Sequence, residues 1–420
     1  MLLTKKINYK PTLDELLVLN SFAYASAKLW NIGHYEKKNY KDLGFEQFPN
    51  WYDQKKRLKT EFWYKNLPSQ TAQQVLKTLQ EGWDSFFKLK ETGGIENPNP
   101  PRFKKKKSLN NFAFLNNGFK ISENNQLQLT IPKQLKTYLK EEFSLNLNYL
   151  VLKCKGLSTV PGKIKTVEFI PQKDRTYEIC VVYEIKDNPL IEDNQHYLSI
   201  DLGLSNLFTC YDNEGKSFII KGSKFLEISH YFNKKIAYYQ SISDAQQSAQ
   251  GVKYPKKSKR VLKLYERKRK QLNHYFHCIT KIIVDYCIEN NISKVIIGDI
   301  KGIRKDNNLG KVTNQKFHSL PYKRIYELLA YKLGRHGIEL IKQKESYSSQ
   351  VSPFAPVVNK KYATPQKRRK RGLYIDNRTL FNADSVGAFN IMRLYQQKMK
   401  KDFPIPLTGL SSPKKLNVSM

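Results

Sequence analysis

The first ten residues alternate apolar and polar positions before Pro11, which predicts a short strand; from Thr12 the spacing turns helical through Leu16, Leu17, Leu19, Phe22 and Ala23. Helical spacing continues to about residue 92, the last helix starting near Leu67-Pro68-Ser69 with Ala72, Val75, Leu76, Leu79, Trp83, Phe86 and Phe87 on one face. Residues 93–101 (GGIENPNPP) form a loop. Between 112 and 188, short runs rich in β-branched and aromatic residues (FAFL, LQLTI, YLVLKC, TVEFI, YEICVVYEI) predict a small β-barrel or sandwich, completed by the first ten residues. Residues 196–220 read as an antiparallel meander with its second turn at Asp212-Asn213-Glu214-Gly215. A long basic helical stretch (223–290) follows, then a strand from Lys294 to Ile300, a helix over about 321–336 and a strand from Ile338 to Lys342, the alternation of a parallel α/β sheet. A final helix runs from about Asp384 to Lys400, and the last 18 or so residues are expected to be mobile.

Charge narrows the function. The 420 residues carry 73 Lys or Arg against 37 Asp or Glu, a formal charge of +36, while 40% hydrophobic residues suffice for real cores. A surplus of that size calls for a polyanion, and nucleic acid is the commonest one. No apolar run approaches the ~18 residues of a membrane span. Two lysines stand where a signal peptide needs its apolar stretch, so an intracellular (cytoplasmic) protein is expected. The five cysteines are odd in number and form no C-x-x-C pair, as reduced, buried thiols would.

Acids at the carboxyl ends of neighbouring parallel strands converge on one crevice. Three stand there: Asp201 at the end of the first meander strand, Glu345 after the last strand, and Asp384 at the start of the final helix. Carboxylates drawn together from such distant positions repel unless a cation lies between them, and hard oxygen ligands suit Mg²⁺ or Mn²⁺. The chemistry this predicts is two-metal hydrolysis of a phosphodiester. Against it, Asp384 alone reads equally well as a helix N-cap, and Glu345 as a surface acid in a lysine-rich stretch. Asp201, inside an apolar strand, is costly without a partner.

Phosphate neutralisation falls to the densest cations: Lys104, Lys105, Lys107, Lys256, Lys257, Arg267, Arg269, Arg368 and Arg369. Each taken singly also reads as a solvated charge.

The segments Leu67-Pro68-Ser69-Gln70 to Phe86-Phe87, Pro101-Arg102-Phe103-Lys104-Lys105, Ser199-Ile200-Asp201-Leu202-Gly203 and Asn382-Ala383-Asp384 with Gly387-Ala388-Phe389-Asn390-Ile391, in this order and spacing, resemble the TnpB or OrfB proteins of insertion sequences, RNA-guided DNA nucleases related to type V CRISPR effectors. The resemblance implies a multidomain α/β, all-β and all-α chain: a wedge-type β-barrel (1–10 and 96–190), an inserted helical recognition domain (11–95), an RNase H-like (RuvC) nuclease domain (191–400) and a mobile tail (401–420). It makes Asp201 and Asp384 the first and third metal ligands, and aligns Gln73 with a residue that contacts the DNA motif beside the target; amide side chains suit adenine edges. Two departures mark a branch. Ile296-Ile297-Gly298-Asp299-Ile300 has glycine where the family's middle carboxylate stands, and no cysteine occurs between the last strand and Asp384, so an insert (346–380) replaces the four-cysteine zinc ribbon and no zinc is expected. Parallel strands lie ~4.8 Å apart, which lets Glu345 supply the middle acid from the neighbouring strand. Asp299 competes for the role, although alternation turns it to the opposite face.

The function expected is an RNA-guided, Mg²⁺-dependent DNA endonuclease that binds an omega-type guide RNA and cuts matching double-stranded DNA next to a short motif, in a prokaryotic cytoplasm and on the nucleoid when bound to DNA. The alternatives are a nuclease-inactive RNA-guided repressor, motivated by Gly298, and an RNA-independent resolvase or transposase of the same fold. No membrane partner is expected, and the sequence names no protein partner.

Overall fold

A computed structural model describes residues 1–93, 95–122, 124–172, 174–186, 188–299, 314–315, 319–368, 372–416 and 418. The chain divides into two compact units, Met1–Lys186 and Asp187–Met420.

In the first unit β1 (Leu2–Tyr9) leads into α1 (Leu13–Lys38), whose start is fixed by a capping box: the Thr12 hydroxyl accepts from Glu15 N–H while the Glu15 carboxylate accepts from Thr12 N–H. The helices α2 (Trp51–Arg57), α3 (Phe62–Lys65) and α4 (Ser69–Thr92) follow. Four antiparallel strands then order as β1-β7-β6-β2, with β2 Phe112–Leu115, β6 Lys163–Pro171 and β7 Tyr177–Glu184. A second sheet holds β3 (Phe119–Ile121), β4 (Gln126–Thr130) and β5 (Tyr149–Lys153), with α5 (Lys133–Phe143) between the last two in sequence. The helical stretch, expected as a domain of its own, shares one core with these strands. Phe22 of α1 lies 5.6 Å, ring to ring, from both Phe112 and Phe114, and the cross-strand pair Phe112 and Phe169 stacks at 5.1 Å.

The second unit is built on a six-stranded sheet of order β12-β11-β8-β9-β10-β15. The meander β8 (Tyr197–Leu202), β9 (Asn206–Asp212) and β10 (Ser217–Lys221) is antiparallel, while β11 (Lys294–Asp299) and β12 (Glu339–Lys344) add in parallel beyond β8. Apolar side chains alternate between two faces. Leu198, Ile200, Val295 and Ile297 meet α6 (Ser223–Ala249), α7 (Lys259–Glu289) and α8 (Tyr322–Gly334); Tyr197 and Ile296 meet α9 (Ala383–Met399). Residues 401–416 are not the free tail that their prolines suggest. Phe403 and Leu410 are buried beneath α9, and β15 (Lys414–Leu416) adds to the sheet edge in parallel with β10.

Between β12 and α9 the chain forms the hairpin β13 (Leu373–Asp376) and β14 (Thr379–Asn382) and irregular turns. Two buried side chains of α9 tie this segment down: Asn390 Nδ2 donates to the carbonyls of Ser348 (2.7 Å) and Val351 (2.8 Å), and Arg393 Nη1 to that of Ser352 (3.2 Å). Asn390→Ala would strand two buried carbonyls, at ~1–3 kcal/mol each. Urea unfolding is therefore expected to show a loss of ~2–4 kcal/mol, and a loss below ~0.5 kcal/mol would mean that these bonds do not hold the segment.

Candidate active site

Asp201, Ser199 and Tyr197 alternate onto one face of β8, the face that α9 covers. Gly298 lies on the same face of β11, whereas Asp299 turns to the face of Val295 and Ile297. Gly298 pairs with Gln343 of β12, and the chain then runs on to Glu345. A Cβ built on Gly298 would stand 2.3 Å from Glu345 Oε2, so the Glu345 carboxylate lies in the space that a side chain at 298 would need. That oxygen is buried and has no hydrogen-bond partner among the described residues.

A second glycine does the same for Asp201. The Cβ absent from Gly387, in α9, would lie 2.6 Å from Asp201 Oδ2. Asp384 sits in the first turn of that helix, and it is not the N-cap: Asn382 is, its side-chain oxygen accepting from the N–H groups of Asp384 and Ser385 at 3.1 Å each. The Asp384 carboxylate is thus free to face the sheet. It accepts from Asn206 Nδ2 (2.7 Å) and from Arg368 Nη2 (3.1 Å).

Asp201 feels the other two acids. Burial, with the charges of Glu345 and Asp384 added, pushes the Asp201 carboxyl up to about 8, against the pull of Arg368. Burial and the charge of Asp299 push Glu345 up to about 6. Among the described residues no group of three or more His, Cys, Asp or Glu stands at ready-made metal-holding geometry, and Asp384 is engaged by Arg368 and Asn206. The donor set nonetheless fits a hard divalent cation: the oxygens belong to carboxylates held together against their repulsion, and one of them is buried and unpartnered. The role of Asn206 went unread in the sequence, since an Asn two residues after Gly203-Leu204 looks like ordinary turn chemistry. Gly387 carried a signal, because glycine inside a helix needs a reason.

The predicted nucleic-acid residues separate. Lys105 and Lys107 are exposed, but Lys104 is half-buried with its ammonium 4.4 Å from the Trp30 ring centre, and burial lowers its pKa. Gln73 is half-buried beside Tyr64, which lines a cavity of 980 Å³ with Lys59, Lys65 and Lys133 at its walls. Lys256, Lys257, Arg267 and Arg269 are exposed on α7 or the turn before it. Arg368 points to Asp384 instead of outward, and Arg369 lies outside the described residues. No described helix is long and apolar enough to cross a membrane.

With this geometry in view, three comparisons bear on the chain. A family model described as a probable transposase, OrfB of IS605, matches residues 180–304, from β7 through β11. The TnpB-like protein ORF457 of Acidianus two-tailed virus is 22% identical over 402 residues, covering 89% of this chain and 82% of its own. The Cas12f1 chain of a complex with single guide RNA and target DNA shares the fold with a TM-score of 0.59 at 15% identity, over 90% of this chain and 82% of its own. The family model and the viral relative agree in likening the chain to the OrfB and TnpB proteins, and the Cas12f1 match gives it the same mixed α/β fold.

Proposed function

We propose that this protein is an RNA-guided, divalent-metal-dependent DNA endonuclease. The observation that carries the reading is the Glu345 carboxylate in the space left by Gly298, on the face that holds Asp201. It supports a site whose middle acid comes from a neighbouring strand instead of a site that has lost it. Asp201, Glu345 and Asp384 would hold Mg²⁺ or Mn²⁺, which when bound supplies activation of water and stabilisation of the leaving oxygen. Asn206 orients Asp384, and Arg368, the cation already at that carboxylate, is placed for a phosphate oxygen. Residues 191–400 act as the RuvC-like nuclease, with 346–380 in place of a zinc ribbon. Residues 1–10 and 96–190 serve as the wedge and 11–95 as the recognition segment, with Gln73 beside the basic cavity for the motif next to the target. Guide RNA and target DNA are the partners, pairing between them reads the sequence, and exposed cations such as Lys105 and Lys107 hold phosphates.

The test is cleavage of a plasmid library by protein purified with RNA expressed from its own locus, in Mg²⁺ or in EDTA. Cutting that needs both the guide and Mg²⁺ is the expected result. Guide-dependent binding without cutting would replace the nuclease with a repressor. Full activity in protein free of RNA would leave an unguided resolvase or transposase.

A further inference from the structure

The hairpin of α6 and α7 buries most of its apolar side chains at its base. Phe225, Ile228, Phe232 and Ile236 of α6, and Tyr275, Phe276, Ile279, Ile283, Val284 and Cys287 of α7, are buried, whereas between 237 and 274 only Val261 is. This outer part, residues 237–274, carries ten Lys or Arg and two acids. Both acids are already engaged, Asp244 by Gln240 and Glu266 by Lys270, so internal ion pairs leave most of the positive charge free. Where the two helices meet, they form a groove of two adjoining hollows, of 540 and 360 Å³, which share Tyr231. Tyr231, Lys235 and Tyr239 follow at four-residue intervals on α6, and Arg260, Lys263 and Arg267 face them from α7. From Lys224 to Tyr239 the groove runs roughly 22 Å at 1.5 Å per residue, enough for several nucleotides.

The chemistry of the lining selects among polyanions. Arg260 is spent on Tyr239, its guanidinium 3.6 Å from the ring centre, which fixes the groove floor. Tyr231 is 57% exposed among the groove's cations, edge-on to Phe232 at 5.2 Å, so its ring is open to a stacking partner. A duplex presents phosphates but no open base faces; an unpaired strand presents both. We infer that the groove between α6 and α7 is a track for single-stranded nucleic acid, the backbone on Lys235, Lys263 and Arg267 and an unpaired base stacked on Tyr231. Two sources share this chemistry, an unpaired segment of the guide RNA and the DNA strand displaced by guide pairing. The inference rests on the nucleic-acid reading above but does not need cleavage.

Photo-cross-linking of the full chain tests it with three 12-nucleotide probes: an RNA carrying one 4-thiouridine, a DNA carrying one 4-thiothymidine, and that DNA in a duplex. Peptide mapping is expected to place single-strand cross-links at Tyr231. Tyr231→Ala should lower their yield about tenfold while Tyr231→Phe retains it. The double change Lys263→Ala with Arg267→Ala should reduce the log–log salt slope of single-strand binding by about 1.4. The stronger of the RNA and DNA arms identifies the source. Equal cross-linking of the duplex at Tyr231, or a single-strand yield indifferent to Tyr231→Ala, overturns the inference, even in protein that cuts DNA normally. Conversely, intact cross-linking in protein that fails to cut would refute the endonuclease reading alone.

Discussion

Glu345→Gln is expected to lower single-turnover DNA cleavage by about a thousandfold while leaving guide-RNA binding and the melting temperature near those of the parent. The change keeps the shape of the side chain and removes only its charge, so what is lost is the ligand's share of transition-state charge stabilisation. A metal contributes several kcal/mol of such stabilisation, and 1.4 kcal/mol is tenfold in rate. Asp299→Asn is the matched control. Asp299 ends the same strand as Gly298 but on the Val295 and Ile297 face, and its charge reaches Glu345 only as a perturbation. Its replacement should cost no more than a few-fold. Gly298→Ala should mimic the loss of Glu345, since the new Cβ would stand 2.3 Å from Oε2 and push the carboxylate aside. If Asp299→Asn abolished cutting while Glu345→Gln did not, the middle acid would be Asp299 and the proposed site would be wrong.

Much of this arrangement is legible in the sequence because it follows from strand geometry. Alternation along Tyr197, Ser199 and Asp201 places the acid on one face, and parallel pairing of β11 with β12 brings an acid that follows one strand up against Gly298 of the other. What stays hidden depends on partners that no local pattern names. Phe403 and Leu410 are isolated apolar residues among prolines, and only the finished sheet edge and α9 give them a place. Lys104 reads as one more lysine of a basic run until Trp30 is seen beside it. Helical periodicity in α1 reveals an apolar face without saying that the opposing surface is the Phe112 and Phe114 strand, so the helical and β segments looked like separate domains. The cap of α9 was ambiguous because Asn382 and Asp384 are both good caps, and only the hydrogen bonds to Asn382 release Asp384 for the site.

Gly387→Ala separates stability from activity in opposite directions. Inside a helix, alanine is favoured over glycine by ~1 kcal/mol, so on propensity alone the substitution should strengthen α9. The structure adds an opposing contact: the new methyl would meet Asp201 Oδ2 at 2.6 Å, closer than carbon and oxygen can stand, with α9 packed on the sheet and little freedom to retreat. The element that yields most cheaply is the Asp201 side chain, whose carboxylate end can rotate away where the backbone cannot. Its movement relieves the clash and ruins the ligand geometry. Displacing a ligand through its surroundings costs roughly 10–100-fold in metal affinity or activity, and the upper end applies here because the clash falls on the ligand itself. Gly387→Ala is therefore expected to melt at or slightly above the parent temperature, to bind guide RNA normally, and to cleave about a hundredfold more slowly, with part of the loss recovered at high Mg²⁺. Unimpaired cleavage would show that Asp201 does not need the position it occupies against Gly387, whereas a collapse in melting temperature would show that α9, and not the side chain, gives way.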